Sequence, residues 1–317
     1  MSMNRKWIIV LFFISILIIF GAMSLNSNEG KTLKVGILPI ADFLPIYVAQ
    51  ENGYFNDMDL KIETVAMSGG NVVASAVNSG DIKIGGSNVV SLIRAHDEGF
   101  NYKIIGPLGF RDSKDNKIIH QLLVKNNSSL EKPADLTGKT IAVNTLGNIN
   151  ELVLKEWLNT YNMSVSEVSL VEVPFPQMEN ALKNNKIDAA MMVEPFVTIG
   201  KKHGSVEVLD KSPMDVISPN FLIAGWFAEE SWITDNEVKI KKFRKAIDMA
   251  IDYINENPRK SRAMLPKYTK LGEELAYEIN LAKYQKEIAN SDIQVLIDSC
   301  YDNDLINNKS NASQLTY

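Results

Sequence analysis

Three short polar segments carrying glycine stand where the chain passes from an apolar run into an amphipathic one. They are Ser68-Gly69-Gly70-Asn71, Gly86-Ser87-Asn88 and Thr145-Leu146-Gly147-Asn148. A turn of that kind at a helix start presents unpaired backbone N–H groups beside short side chains, which hold a ligand without reacting with it. Asp42-Phe43 follows the first apolar run, Glu194 and Phe196 flank Pro195 after another, and Trp226 lies in a late one. The carboxylates would accept from ligand N–H groups or pair with a positive charge, and the rings would stack on an aromatic or apolar body. Each residue also fits a purely structural role. The glycine segments and Asp42 suit backbone turns, Phe43 and Trp226 suit core packing, and Glu194 suits a helix N-terminus, where the dipole favours an acid. The chemistry these types share is binding.

Residue types that would break bonds or hold a metal do not converge. Cys300 is the only cysteine, which removes intramolecular disulfides and zinc ribbons. His96, His120 and His203 lie far apart without H-E-x-x-H spacing, and each is expected as a surface or loop residue. There is no G-x-x-x-x-G-K-[ST] segment, so the chain is not an ATPase of that type. No catalytic set, metal or cofactor is expected.

The elements that must position these residues follow a βαβ rhythm. Strands are expected at 33–38, 60–65, 82–85, 103–108, 120–126, 140–144, 168–173, 187–193 and 221–228, with helices at 44–51, 72–78, 88–98, 149–161 and 178–184. The order strand, glycine turn, helix, strand occurs at 60–85 and again at 140–193. Asn78-Ser79-Gly80-Asp81-Ile82 is echoed by Asn184-Asn185-Lys186-Ile187-Asp188. That repetition predicts two similar α/β lobes with parallel strands. From 235 onward the pattern is helical: Ile240, Phe243, Ile247, Ile251 and Ile254 keep a period near 3.6, Pro258 stops it, and helices near 271–284 and 291–298 follow. The polar tail from Asn307 is expected to fray.

Trp7 to Leu25 is an uncharged apolar run behind Arg5 and Lys6. It reads as an export signal with Ala22-Met23-Ser24 as cleavage site, or as an uncleaved anchor with the basic residues inside. No cysteine stands just after that run, so a lipoprotein is not expected, and residues 31–317 are placed outside the membrane. The 317 residues carry a formal net charge of -5, which does not suit nucleic-acid binding.

Four segments together resemble a known family: LKVGILPIADFLPIYVAQENGYF (33–55), GGNVVASAVNSGDIKIGGSN (69–88), DLTGKTIAVNTLGN (135–148) and ALKNNKIDAAMMVEPF (181–196). The chain resembles ABC transporter substrate-binding proteins of the type II periplasmic-binding-protein fold, within the SsuA-like and NMT1/THI5-like group that binds nitrate, sulfonates, taurine or thiamine precursors. The resemblance implies an α/β fold of two Rossmann-like lobes joined by two hinge strands. Lobe one would take 31–120 plus 226–317, lobe two 121–225, and residues 1–30 the signal or anchor with its tether. A small organic solute would sit in the cleft, and an ABC permease with its ATPase would be the partners of a monomeric body. In thiamine-precursor binders an acid at the matching Glu-Pro motif lies at the pocket, which would give Glu194 a ligand contact. No Arg or Lys occurs in the three turns, so an aminopyrimidine-like solute is favoured over a sulfonate or nitrate. Two alternatives stay open: a pyrimidine-synthase-like or dehydratase-like enzyme on the same fold, and an anchored sensor. The eukaryotic pyrimidine synthase carries a cysteine-rich motif that this chain lacks.

Overall fold

Two five-stranded sheets organise the computed structural model, which describes residues 32–115, 118–210 and 213–317. The apolar segment at 7–25 lies outside the described residues, and among the described residues no helix is long and apolar enough to cross a membrane. Sheet one holds β1 (Leu33–Ile37), β2 (Ile62–Ala66), β3 (Ile84–Asn88), β4 (Tyr102–Asp112) and β10 (Asn220–Glu229) in the order β2-β1-β3-β10-β4. Sheet two holds β5 (His120–Lys125), β6 (Thr140–Val143), β7 (Ser169–Glu172), β8 (Ala189–Val193) and β9 (Val206–Asp210) in the order β7-β6-β8-β5-β9. The two orders superpose strand for strand, so the echo between the halves of the sequence is an echo of topology. The chain crosses from sheet one to sheet two after β4 and returns after β9.

The parallel expectation holds for three consecutive strands at one side of each sheet, where β1 pairs with β2 and β3, and β6 with β7 and β8. It fails at β10 and β5, which run antiparallel to their neighbours. Each of these enters its sheet from the other lobe, so no crossover helix fixes its direction. β8 (AAMMV) is buried at every position, as a strand covered on both faces must be. Between strands lie α1 (Leu44–Glu51), α2 (Gly70–Ser79), α3 (Val89–Asp97), α4 (Ile149–Thr160), α5 (Phe175–Lys183) and α6 (Phe196–Lys202). α3 and α4 start on asparagine caps: Asn88 Oδ1 accepts from Ser91 N–H, and Asn148 Oδ1 accepts from Asn150 and Glu151 N–H. α7 (Glu237–Glu256) buries the stripe Ile240, Phe243, Ile247, Ile251 and Ile254, packing chiefly on α1 and on Phe55, with Phe243 also meeting Trp226 of β10.

Three expectations are corrected. Residues 271–284 hold only a single 3-10 turn, Leu275–Tyr277. Turn bonds within 272–279 do not propagate into a helix; Arg262 Nη1 donates to Ile279 O at 2.6 Å and Lys283 pairs with Phe110 on β4, which pins the segment as an irregular strap. α8 (Asn290–Asp302) follows it. The tail does not fray: Ala312 and Leu315 are buried, and Ile104 N–H donates to Leu315 O at 2.7 Å. β9 had no counterpart in the expected strands.

The lobes meet directly. Ala41 N–H donates to Glu194 O at 3.2 Å, Ile149 N–H to Asn88 Oδ1 at 3.2 Å, and Arg94 Nη1 to Gly147 O at 3.3 Å. On the same side of the molecule, Glu156 Oε1 on α4 accepts from Ser299 Oγ at 2.5 Å and Asn303 Nδ2 at 2.8 Å at the end of α8. The form described is therefore closed.

Candidate functional site

Strand ends converge on one cleft between the sheets, as expected where ligands bind beyond the carboxyl ends of parallel strands. β1 leads into a 3-10 turn, Ala41–Phe43, that places Asp42 and Phe43 at the cleft. The β2–α2 turn supplies Gly70, and the end of β3 supplies Ser87 and Asn88. From the other lobe come Asn144 after β6, and Asn148, Ile149 and Asn150 at the start of α4. Because β5 and β10 run antiparallel, the start of β5 and the middle of β10 also reach this level, which brings in His120, Ile223 and Ala224. In this closed form the cavity itself is small, about 40 Å³, and comes to about 440 Å³ only when the open space at its mouth is counted.

Glycine is required where the walls close. A Cβ on Gly70 would lie 2.3 Å from Ser87 Oγ, and one on Gly86 would lie 2.3 Å from the Phe43 ring. Gly86 thus seats Phe43, whose ring meets Trp226 edge-on at 5.6 Å.

The polar groups fall into two sets. The asparagines satisfy one another: Asn148 Nδ2 and Asn150 Nδ2 both donate to Asn144 Oδ1, at 2.7 and 2.8 Å. Asn150 Oδ1 lies 2.8 Å from His120 Nδ1. The other set is unsatisfied. Among the described residues, His120 Nε2 and Ser87 Oγ are buried without a hydrogen-bond partner. Asp42 is 4% exposed and accepts no hydrogen bond among the described residues. Burial, then the neighbouring Glu194 charge, pushes the Asp42 carboxyl up to about 7. Burial pushes the His120 imidazole down to about 4 against the bond to Asn150, with Arg111 adding to the fall. Apolar side chains, among them Leu38, Ile40, Phe175 and Val193, form the remaining wall, and no Lys or Arg lines the cavity among the described residues.

The structure thus brings six of the expected residues to the cavity: Asp42, Phe43, Gly70, Ser87, Asn88 and Asn148. The others stand around it. Gly69 packs on Thr145 across the lobes, where a Cβ would lie 2.7 Å from the threonine methyl, and Thr145 Oγ1 accepts from Asn148. Ser68 is exposed. Asn71, Leu146 and Gly147 line a second, polar cavity with Arg94. Phe196 stacks behind Phe175 at 6.1 Å. Trp226 is buried between Phe43 and Phe243 and faces a separate small cavity. Glu194 is spent on structure: its carboxylate accepts from Thr198 Oγ1 at 2.9 Å, Thr198 N–H at 3.1 Å and Asn280 N–H at 3.2 Å. Burial raises its pKa against those bonds. Gly86-Ser87-Asn88 is the end of β3 and the α3 cap, so it belongs to strand and cap more than to a turn.

His120 was expected at the surface and is instead 4% exposed in the cavity. A signal was present: it heads an apolar strand, and a strand entering from the other lobe begins beside the carboxyl end of its parallel neighbours. Asn144 and Asn150 were missed because they flank the candidate turn 145–148 and read as the end of a strand and the start of a helix.

A family model described as NMT1/THI5 like matches residues 40–261. A putative ABC transporter periplasmic binding protein of Brachyspira hyodysenteriae is 26% identical over 259 residues, covering 78% of this chain and 73% of that protein. A 4-amino-5-hydroxymethyl-2-methylpyrimidine phosphate synthase of Saccharomyces cerevisiae is 21% identical over 270 residues, covering 82% and 76%. Among solved structures, the alkanesulfonate-binding protein SsuA of Xanthomonas axonopodis pv. citri, bound to MOPS, superposes with a TM-score of 0.77 at 17% identity, covering 92% of this chain and 99% of that one. The similar proteins thus include both binding proteins and enzymes, and the fold is that of the periplasmic binding proteins.

Proposed function

The chain belongs to the NMT1/THI5-like family, and from that premise we propose that it is the extracytoplasmic solute-binding receptor of an ABC importer. It captures a small organic solute between its lobes and delivers it to a permease driven by a cytoplasmic ATPase. We take lobe one as sheet one with its helices and lobe two as sheet two. The chain changes lobes between β4 and β5 and again between β9 and β10, and the lobes hinge at those crossings. The N-terminal apolar segment exports the chain and, if uncleaved, anchors it.

One observation carries the reading: Asp42 is a buried carboxylate with no donor among the described residues, in a largely apolar interlobe cavity. Such a group is costly in an empty, closed site and is satisfied by a solute carrying N–H donors or a positive charge. The absence of Lys and Arg from the described lining turns the preference away from sulfonate or nitrate and toward an aminopyrimidine or similar nitrogen heterocycle, with Phe43 packing on its ring. Binding without catalysis is supported by the state of the single cysteine. Cys300 is buried in α8, and burial pushes its thiol up to about 12, far from the thiolate that nucleophilic chemistry needs.

A thermal-shift panel of aminopyrimidines, thiamine, taurine, alkanesulfonates, nitrate and bicarbonate tests this. A ligand at 100 times its Kd adds about 2.7 kcal/mol. A hit among the nitrogen heterocycles that disappears in Asp42→Asn supports the reading. A hit confined to the anions, undisturbed by that substitution, overturns the ligand class.

A further inference from the structure

We propose that a relay of three asparagines fixes His120 as a hydrogen-bond acceptor toward the cleft, so that the site selects a solute presenting an N–H donor there and rejects an isostere presenting only acceptors. The inference rests on the receptor reading above and names how that site discriminates.

The relay starts at a helix cap. Asn148 Oδ1 accepts from Asn150 N–H at 2.9 Å and from Glu151 N–H at 3.2 Å. A backbone N–H can only donate, so this atom of Asn148 is necessarily the oxygen. Its Nδ2 then points at Asn144, 2.7 Å away, and at Thr145 Oγ1, 3.0 Å away. Asn144 must therefore present its oxygen. Asn150 approaches that same oxygen at 2.8 Å and must use Nδ2. This turns Asn150 Oδ1 toward His120 Nδ1 at 2.8 Å. The hydrogen in that contact belongs to the histidine. A neutral imidazole carries one N–H, so Nε2 is left with a bare lone pair.

Nothing among the described residues uses that lone pair: Nε2 is buried without a partner there, and His120 lines the cavity. Water does not loosen the relay, because Asn144, Asn148 and Asn150 are 6%, 1% and 1% exposed. Burial and the charge of Arg111 both keep the ring neutral, while Asp42 supplies a second acceptor to the same cavity. A solute donor satisfies His120 Nε2, whereas an acceptor placed there leaves two buried lone pairs facing each other.

Nitrogen-15 NMR of the ligand-free protein reads the tautomer directly, and with three histidines in the chain the spectrum is readily assigned. The expected wild-type spectrum shows His120 protonated at Nδ1; protonation at Nε2 overturns the proposal. Asn148→Asp is the sharper arm. Aspartate caps a helix as well as asparagine does and keeps both backbone bonds, yet it has no N–H for Asn144. Asn144 and then Asn150 must turn their amides over, and His120 must move its hydrogen to Nε2. A tautomer unchanged in Asn148→Asp overturns the relay, and if that variant does not fold, the wild-type spectrum decides alone. Binding adds a third arm: 4-aminopyrimidine should bind the wild type at least about tenfold more tightly than 4-methoxypyrimidine, and equal binding overturns the role in selection. If neither compound binds while the spectrum shows Nδ1–H, the aminopyrimidine reading fails and the relay stands.

Discussion

Replacing Asp42 by asparagine should make the ligand-free protein more stable, and more so as the pH rises. The carboxyl is 4% exposed, accepts no hydrogen bond among the described residues and faces the charge of Glu194. Its pKa is raised from 3.8 to about 7. Between those values the native state holds a proton that the unfolded chain has released, so stability from this group is full below about pH 4, falls as the pH rises through 7, and is flat beyond. The rise corresponds to roughly 4 kcal/mol of penalty on the ionised form. That figure is a ceiling, because opening the cleft hydrates the carboxylate and the new amide also lacks partners, at a cost of about 1–2 kcal/mol. Chemical denaturation at a series of pH values should therefore show wild type and Asp42→Asn nearly equal at pH 4, with the variant ahead by about 1–3 kcal/mol at pH 8. A difference that stays constant with pH, or that favours wild type at pH 8, refutes the assignment of Asp42 as an unsatisfied buried acid.

Other perturbations follow from the same geometry. His120 has its pKa lowered from 6.5 to about 4, so its stabilisation is full above about pH 6.5 and is lost as the pH falls toward 4; His120→Asn should lose less stability between pH 7 and pH 5 than wild type in the same denaturation assay. Gly147→Ala should lower stability by at least about 1 kcal/mol, because φ is +68° and the new Cβ would lie 1.4 Å from Arg94 Nη1; thermal unfolding reads this, and an unchanged Tm would refute the clasp. Glu156→Ala removes the acceptor for Ser299 and Asn303 where α4 meets α8, so the closed form should be less populated and ligand dissociation several-fold faster, as stopped-flow measurement with a bound ligand will show.

Much of the fold was legible because it is written in local patterns. α1 falls at 44–51 as expected, since Pro45 suits the first helical turn and Asn52-Gly53 ends it, with Gly53 at φ +76°. The α7 stripe was legible because one face of the helix is buried along its whole length. What failed was set by distant partners. Leu271, Leu275, Ile279 and Ala282 have helical spacing, yet Arg262 and β4 take the hydrogen bonds a helix would have used. The cleft was legible as strand-end turns, and six named residues reach the cavity. Its sharpest features, the unsatisfied Nε2 of His120 and the amide relay behind it, depend on β5 entering sheet two from the other lobe so that His120 lies beside the end of β8, and no local pattern encodes that register. Glu194 shows the reverse: an acid in a suggestive motif, consumed by Thr198 and Asn280.

The central claim is that the cleft binds a donor-bearing solute and does not alter it. Isothermal titration of wild type and Asp42→Asn with the compound giving the largest thermal shift, followed by recovery of that compound, tests it most directly. The account predicts one saturable site per chain, loss of binding in the variant, and a compound recovered chemically unchanged. Saturable binding that persists in Asp42→Asn, or recovery of a converted product, would contradict it.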